Sequence, residues 1–288
     1  MPLHQSLAAN QIESIVGILN GTTNYILSQM TETGVNYANA LADAQKQGFA
    51  EADPTNDVCG FDAARKLAIL SSIGFRANVT FDDVLVEGIE KIDKSDIQYA
   101  KDMGYTIKLL TVALRQENGI ALNVYPAFLP DNHPLSSVKG AYNAIYVTGN
   151  IVDDIMFYGR GAGALPTASA VMGDVISTAQ HILNGSTGTG MIMTDTKRIP
   201  FYSSLKLQNS YYFRLDVDDV TGVLSQIAAA FAENDISICE VVQKRKTKGL
   251  AELVLITELA SRASILQVEK ALQVLPCMRK VANVIRVM

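Results

Sequence analysis

The run from Glu51 to Lys66 reads Glu-Ala-Asp-Pro-Thr-Asn-Asp-Val-Cys-Gly-Phe-Asp-Ala-Ala-Arg-Lys, placing Glu51, Asp53, Asp57 and Asp62 against Arg65 and Lys66. Pro54 and Gly60 punctuate its first part as a loop. From Phe61 to Ile73 apolar residues recur at helical spacing, so Asp62 falls in the first turn of a helix and, at i,i+4, shares one face with Lys66. With Glu51 and Asp57 approaching from the loop, the expected result is an acid-lined pocket holding one lysine. Such a pocket suits a small ligand carrying a positive amine, with Lys66 donating or accepting a proton once its surroundings have tuned it. The same residues have a plainer reading, because acids at a helix start answer the helix dipole and an exposed i,i+4 pair is usually solvated.

Two further segments could bring backbone or hydroxyl groups to such a pocket. Gly17-Ile18-Leu19-Asn20-Gly21-Thr22-Thr23-Asn24 reads as a strand end turning into a helix at Tyr25 to Thr33, preceded by a helix that begins near Gln5. Its Asn-Gly step and paired threonines supply caps, hydroxyls and backbone donors. A second helix over Tyr37 to Gln47 stops at Gly48, where a left-handed turn is expected. Farther on, Tyr158-Gly159-Arg160-Gly161-Ala162-Gly163 forms a glycine-rich turn before a helix over Ala168 to Leu183. Glycines there let a backbone approach a cofactor phosphate or nicotinamide, although the glycine triplet and downstream acid of a dinucleotide fingerprint are not present in this run.

The bulk composition excludes several classes. At 288 residues with 48% hydrophobic and 18% charged residues, the chain has material for about two domains and a sizeable core. A net charge of −5, with Lys244-Arg245-Lys246 as its one basic cluster, leaves no footprint for nucleic acid; a hairpin tip accounts for that cluster. No apolar run reaches the roughly 18 residues of a membrane span and the first residues do not resemble a signal peptide, so a cytoplasmic protein is expected. Cys59, Cys239 and Cys277 read as reduced thiols, and Cys59 as a small filler, since no histidine stands near it in sequence. His4, His133 and His181 are too scattered for a zinc site, so no metal is expected.

Strands and helices alternate over Val84 to Ile89, Asp96 to Met103, Thr106 to Leu114 and Ile120 to Phe128. The Gly, Ser and Thr content from Asn184 to Thr196 then marks a flexible connection. Beyond it, Tyr211 to Val217, Gly222 to Asn234, Ile236 to Gln243, Leu250 to Glu258, Ser261 to Leu275 and Val281 to Val287 read β-α-β-β-α-β. The class is α+β: a mixed α/β domain at residues 1–184 whose sheet is covered by helices, a linker at 185–208, and a ferredoxin-like βαββαβ domain at 209–288.

Three motifs in order, Gly17 to Leu27, Gly48 to Lys66 and Tyr158 to Asp174, resemble the catalytic and substrate-binding part of homoserine dehydrogenase, over about residues 1–180. The segment from Tyr211 onward, including Asp219 to Ala228 and Ile236-Ser237-Ile238, resembles an ACT domain, a small amino-acid-sensing module. The resemblance implies interconversion of homoserine and aspartate 4-semialdehyde with NAD or NADP. It implies Lys66 as proton donor and acceptor, Glu51, Asp57 and Asp62 as substrate-binding acids, and Gly21 with Thr22 as a wall of the same site. Gly48, Gly161 and Gly163 match positions close to the nicotinamide. An amino-acid effector at the ACT domain, threonine being usual in the family, and a homodimer or higher oligomer built on the first domain's sheet are also implied.

Two departures from the family shape the expectation. Phe49 stands where many relatives carry tyrosine, which removes a hydroxyl from the pocket. The chain also begins after the position of the family's Rossmann domain, so it is expected to be inactive alone and to leave apolar residues of the Thr167 to Leu183 helix, such as Ala170, Val171, Val175, Ile176 and Ala179, partly uncovered. The competing reading is a non-catalytic regulatory protein that binds an amino acid at its ACT domain.

Overall fold

The computed structural model describes residues 3, 6–186, 199–247 and 249–288, without the side chains of 245–247. Strand β1 (Ile12–Ile18) opens the fold and follows turns rather than the helix expected near Gln5. Helix α1 (Gly21–Thr33) starts four residues earlier than the expected Tyr25, because Asn20 stays extended and its side chain accepts from the Thr23 N–H, capping the helix at once. Helices α2 (Tyr37–Lys46), α3 (Thr55–Val58) and α4 (Phe61–Phe75) follow, with the short α3 interrupting what had read as a loop. Next come β2 (Leu85–Val86), α5 (Lys94–Asp102) and the long antiparallel pair β3 (Tyr105–Gln116) and β4 (Gly119–Pro130).

Strands β5 (Tyr142–Gly149) and β6 (Asp153–Arg160) form a hairpin that the glycine-rich reading had concealed: Tyr158, Gly159 and Arg160 end a strand, and α6 (Ala164–Leu183) begins four residues before the expected Ala168. The glycine-rich connection around Asn184 to Thr196, like His4, lies mainly outside the described residues. The second half runs β7 (Gln208–Asp218), α7 (Val223–Ala232), β8 (Ile238–Thr247), β9 (Leu250–Thr257), the two-residue β10 (Ala260–Ser261), α8 (Arg262–Gln273) and β11 (Met278–Val287). This is the βαββαβ order expected from the sequence.

The two halves share one mixed sheet, ordered β6-β5-β1-β3-β4-β11-β7-β9-β8. The seam is a short parallel pairing in which Arg286 lies opposite Ala127 and Val287 opposite Phe128. Side chains close it: the Phe128 and Tyr212 rings stack with centroids 4.5 Å apart, and Tyr212, Val254, Ile256, Ile285 and Val287 join the core of the first half. Among the described residues no helix is long and apolar enough to cross a membrane.

Helix α4 buries Ala63, Ala64, Leu67, Ala68, Ser71 and Phe75, one continuous face at helical spacing. The small residues let its axis lie close to β1, β3 and β4. Asp62 and Lys66 then stand on the flank beside the β1–α1 turn.

Helix α6 has no buried residue; Val171, Met172, Val175 and Ile176 are each at least half exposed. The apolar exposure expected of this helix is present and exceeds expectation, since every face is uncovered.

Candidate active site

The turn Leu19-Asn20 gathers the charged groups. Lys66 Nζ lies 2.7 Å from Asp62 Oδ2 and donates to the Leu19 carbonyl at 3.0 Å. Asn20, only 4% exposed, donates through Nδ2 to Asp57 Oδ1 at 2.7 Å and to Asp62 Oδ2 at 3.0 Å. Its Oδ1 meanwhile accepts from the Thr23 backbone N–H at 2.8 Å and from the Thr23 hydroxyl at 2.9 Å. One amide therefore caps α1 and holds two carboxylates side by side, which neutral water would let repel. Each carboxylate keeps its other oxygen free of any hydrogen bond within the described protein.

The sequence marks Asn20 only as a helix cap. Its bridging role was not legible, because Asp57 and Asp62 lie 37 and 42 residues away along the chain.

The other expected residues divide. Glu51 is exposed; its carbonyl accepts from Gln45 Nε2 at 3.0 Å, while its carboxylate joins neither Lys66 nor the two aspartates. Thr22 is buried and its hydroxyl donates to the Phe49 carbonyl at 2.7 Å, so it ties the start of α1 to the start of the acidic loop. Phe49 itself packs on Tyr25 with centroids 4.6 Å apart, and the Tyr25 hydroxyl donates to Asp43. Asp53 turns back on Thr55, whose hydroxyl donates to it at 2.6 Å; that bond and one from the Thr55 backbone lower the Asp53 carboxyl. Arg65 reaches Asn56 and the Phe81 ring, away from Lys66.

Cys59 behaves as a filler. Its thiol donates to Glu90 Oε2 at 3.1 Å, and burial together with Glu90 pushes it up to about 11, far from a reactive thiolate.

Beside Lys66 a cavity of about 410 Å³ opens between α4, the β1–α1 turn and the β5–β6 hairpin. Leu19, Ile69, Leu70, Ile145 and Phe157 make its walls apolar; Lys66, Asn143, Tyr158 and Arg160 supply polar groups, and Gly159 and Gly161 bare backbone. Arg160 sits 4.7 Å from the centroid of Tyr142, which stacks on Tyr158. Of the three glycines expected near a cofactor, Gly161 lines this cavity, while Gly48 and Gly163 do not. Gly48, at φ 76°, terminates the turn after α2, and Gly163, at φ 115°, starts α6; both hold backbone that a side chain would strain. The space above Gly161 is taken by Asn143, a residue that no motif in the sequence marks.

An ammonium with two acceptors already in place, a pair of carboxylates with free oxygens and an adjoining apolar cavity can together bind a cationic substrate, move one proton and shelter a flat ring.

Comparison with known proteins finds two families along the chain. The family profile described as homoserine dehydrogenase matches residues 1–176, and that of the ACT domain matches residues 211–277. The homoserine dehydrogenase of Corynebacterium glutamicum is 41% identical over 290 residues, covering 99% of this chain and 64% of that protein. A crystal structure of a homoserine dehydrogenase from Thiobacillus denitrificans superposes with a TM-score of 0.93 at 35% identity, over 100% of this chain and 66% of that one. A hyperthermophilic archaeal homoserine dehydrogenase mutant in complex with NADPH matches over 62% of this chain and 51% of its own, at 26% identity and a TM-score of 0.52. The chain thus spans about two thirds of the length of these bacterial relatives.

Proposed function

The chain belongs to the homoserine dehydrogenase family and carries an ACT domain, and from that premise we propose that the protein containing it interconverts L-homoserine and L-aspartate 4-semialdehyde with NAD or NADP. The observation that carries this reading is the convergence of Lys66, Asp62 and Asp57 on the Leu19-Asn20 turn.

In the reductive direction Lys66, an ammonium between Asp62 and the Leu19 carbonyl, gives a proton to the aldehyde oxygen as hydride reaches the same carbon. In the oxidative direction Lys66 as the free amine takes the hydroxyl proton, and Asp62 stabilises the ammonium that results. Asp57 and Asp62, locked together by Asn20, offer their free oxygens to the substrate ammonium, and Glu51, exposed on the loop outside that cluster, would have to swing in to reach it. Thr22 and Gly21 shape the wall opposite.

The apolar cavity at Lys66 has the size and character for one aromatic ring, and Gly161 would lie against it, with Gly48 and Gly163 shaping the approach. The nicotinamide, when bound, exchanges hydride with the substrate carbon. The archaeal relative seen with NADPH supports the phosphorylated cofactor as one of the two candidates.

Amino-acid sensing belongs to the same proposal, with threonine as effector at the ACT half, self-association through the sheet of the first half, and a cytoplasmic location. The test is homoserine-dependent reduction of NAD and of NADP by the protein carrying this chain, repeated with threonine present. Turnover with homoserine but not with serine or threonine is the expected result. Amino-acid binding to the ACT half without turnover under any condition would favour the regulatory reading instead.

A further inference from the structure

We propose that Asn143 is a positioning residue for Lys66, and that Gly161 lacks a side chain in order to admit its amide. The proposal rests on the reading of Lys66 as the proton-transfer residue.

Asn143 stands at the start of β5, and its side chain enters between two motifs that are remote from each other in sequence. A Cβ placed on Gly161 would come within 2.1 Å of Asn143 Nδ2, and one on Gly21 within 3.4 Å of its Oδ1 and 3.0 Å of the Ala141 carbonyl. The first distance is impossible for real atoms. The glycine-rich run after β6 therefore closes on a side chain of this protein at Gly161.

The amide works on the carbonyl that holds Lys66. Asn143 Nδ2 donates to the Leu19 oxygen at 3.3 Å, and Lys66 Nζ donates to that same oxygen at 3.0 Å. The opposite amide orientation would set oxygen against oxygen at this point, so the donor role is fixed. With donors on both sides, the Leu19–Asn20 peptide plane cannot rotate away. That plane also carries the Asn20 side chain that binds Asp57 and Asp62.

Stability alone is a poor reason for this arrangement. Asn143 Oδ1 is buried with no hydrogen-bond partner, a costly state, and the one bond gained is long. An apolar side chain would fill the gap between the glycines without leaving a buried oxygen unpaired. What the amide adds is control of the Leu19 carbonyl, and so of the ammonium at the cavity wall.

Three measurements test this. The ¹⁵Nζ resonance of Lys66 in the chain itself should move on Asn143→Ala and stay in place on a matched change at an exposed site such as Asn39→Ala. Gly161→Ala should lower the unfolding midpoint of the parent chain and cost nothing further in the Asn143→Ala background, because the clash involves only that amide. In the protein that turns over homoserine, Asn143→Ala should lower kcat roughly 10–100-fold while KM for homoserine stays within about threefold, the pattern of a displaced reacting group. Asn143→Asp keeps the volume and removes the donor, so it repeats the resonance and kinetic tests, with the Gly161→Ala cost expected to persist beside it, should the alanine variant prove too unstable.

An unmoved Lys66 resonance, additive costs for the two substitutions, or a loss confined to KM would each overturn the proposal. Should the parent protein show no homoserine turnover at all, the functional reading fails, and the resonance and the cycle still decide the role of Asn143.

Discussion

Arg214 on β7 grips Asp96 on α5 across the seam between the two halves: Nε lies 2.7 Å from Oδ1 and Nη2 3.2 Å from Oδ2. Asp96 is fully buried and also accepts from the Tyr212 hydroxyl, Asn283 Nδ2 and the Asp93 backbone N–H. Arg214 reaches on to Glu252, which takes the Tyr99 hydroxyl at 2.9 Å. A buried charge tied this many ways is costly to leave half paired. Asp96→Ala should therefore destabilise the chain by about 3–5 kcal/mol, read as a lower denaturant midpoint. If the two halves unfold together in the parent, they should separate into two transitions in the variant. An unchanged single transition would mean that the seam is held by the β4–β11 pairing and the apolar contacts alone.

Lys66 and Asn20 should fail in different ways. Lys66→Met leaves the backbone and the buried face of α4 intact, so folding should be unaffected while turnover falls by roughly 10²–10⁴-fold. Asn20→Ala removes the α1 cap, which costs about 1 kcal/mol, and frees two carboxylates to repel. KM for homoserine should rise with it, because Asp57 and Asp62 lose their common anchor. Steady-state kinetics beside thermal unfolding of each variant separates the two; near-normal turnover in Lys66→Met would remove it from the mechanism.

Lys108 gives the fold a pH signature apart from the site. It is 2% exposed and donates to Asn24 Oδ1 and the Val138 carbonyl. Burial, aided by Lys139 and opposed by Glu32, pushes it down from 10.5 to about 8. Between these values the native state sheds a proton that the unfolded chain keeps, so stability contributed by this group rises with pH through that window. Below pH 8 the native state bears the cost of the buried cation. Relative to Lys108→Met, the parent should gain up to roughly 3 kcal/mol between pH 7 and pH 10.5, measured by denaturant unfolding at each pH. A constant difference would show that Lys108 keeps its ordinary titration in the fold.

Helix α6 predicts tolerance. Val175 is 51% exposed and the helix buries no residue. Val175→Glu should shift stability by no more than about 0.5 kcal/mol and should reduce binding of an apolar dye to the isolated chain. A large loss of stability would mean that α6 packs on the body of the protein.

The sequence by itself determined the local features. Helical spacing put Asp62 and Lys66 on one face, and the pair is formed because i,i+4 geometry needs nothing beyond the helix. The βαββαβ order of the second half was legible for the same reason, since each strand and helix announces itself by period. Tertiary structure decided which of the acids gather. Asp57 joins Asp62 through Asn20, whereas Glu51 stays outside, and only the placement of the β1–α1 turn against α4 separates those outcomes. The parallel match of Arg286 to Ala127, which fuses two domains into one sheet, depends on a register between strands more than 140 residues apart. Asn143 between Gly21 and Gly161 is of the same kind: each residue alone is ordinary, and their meaning lies in a meeting that chain topology arranges and no local pattern encodes.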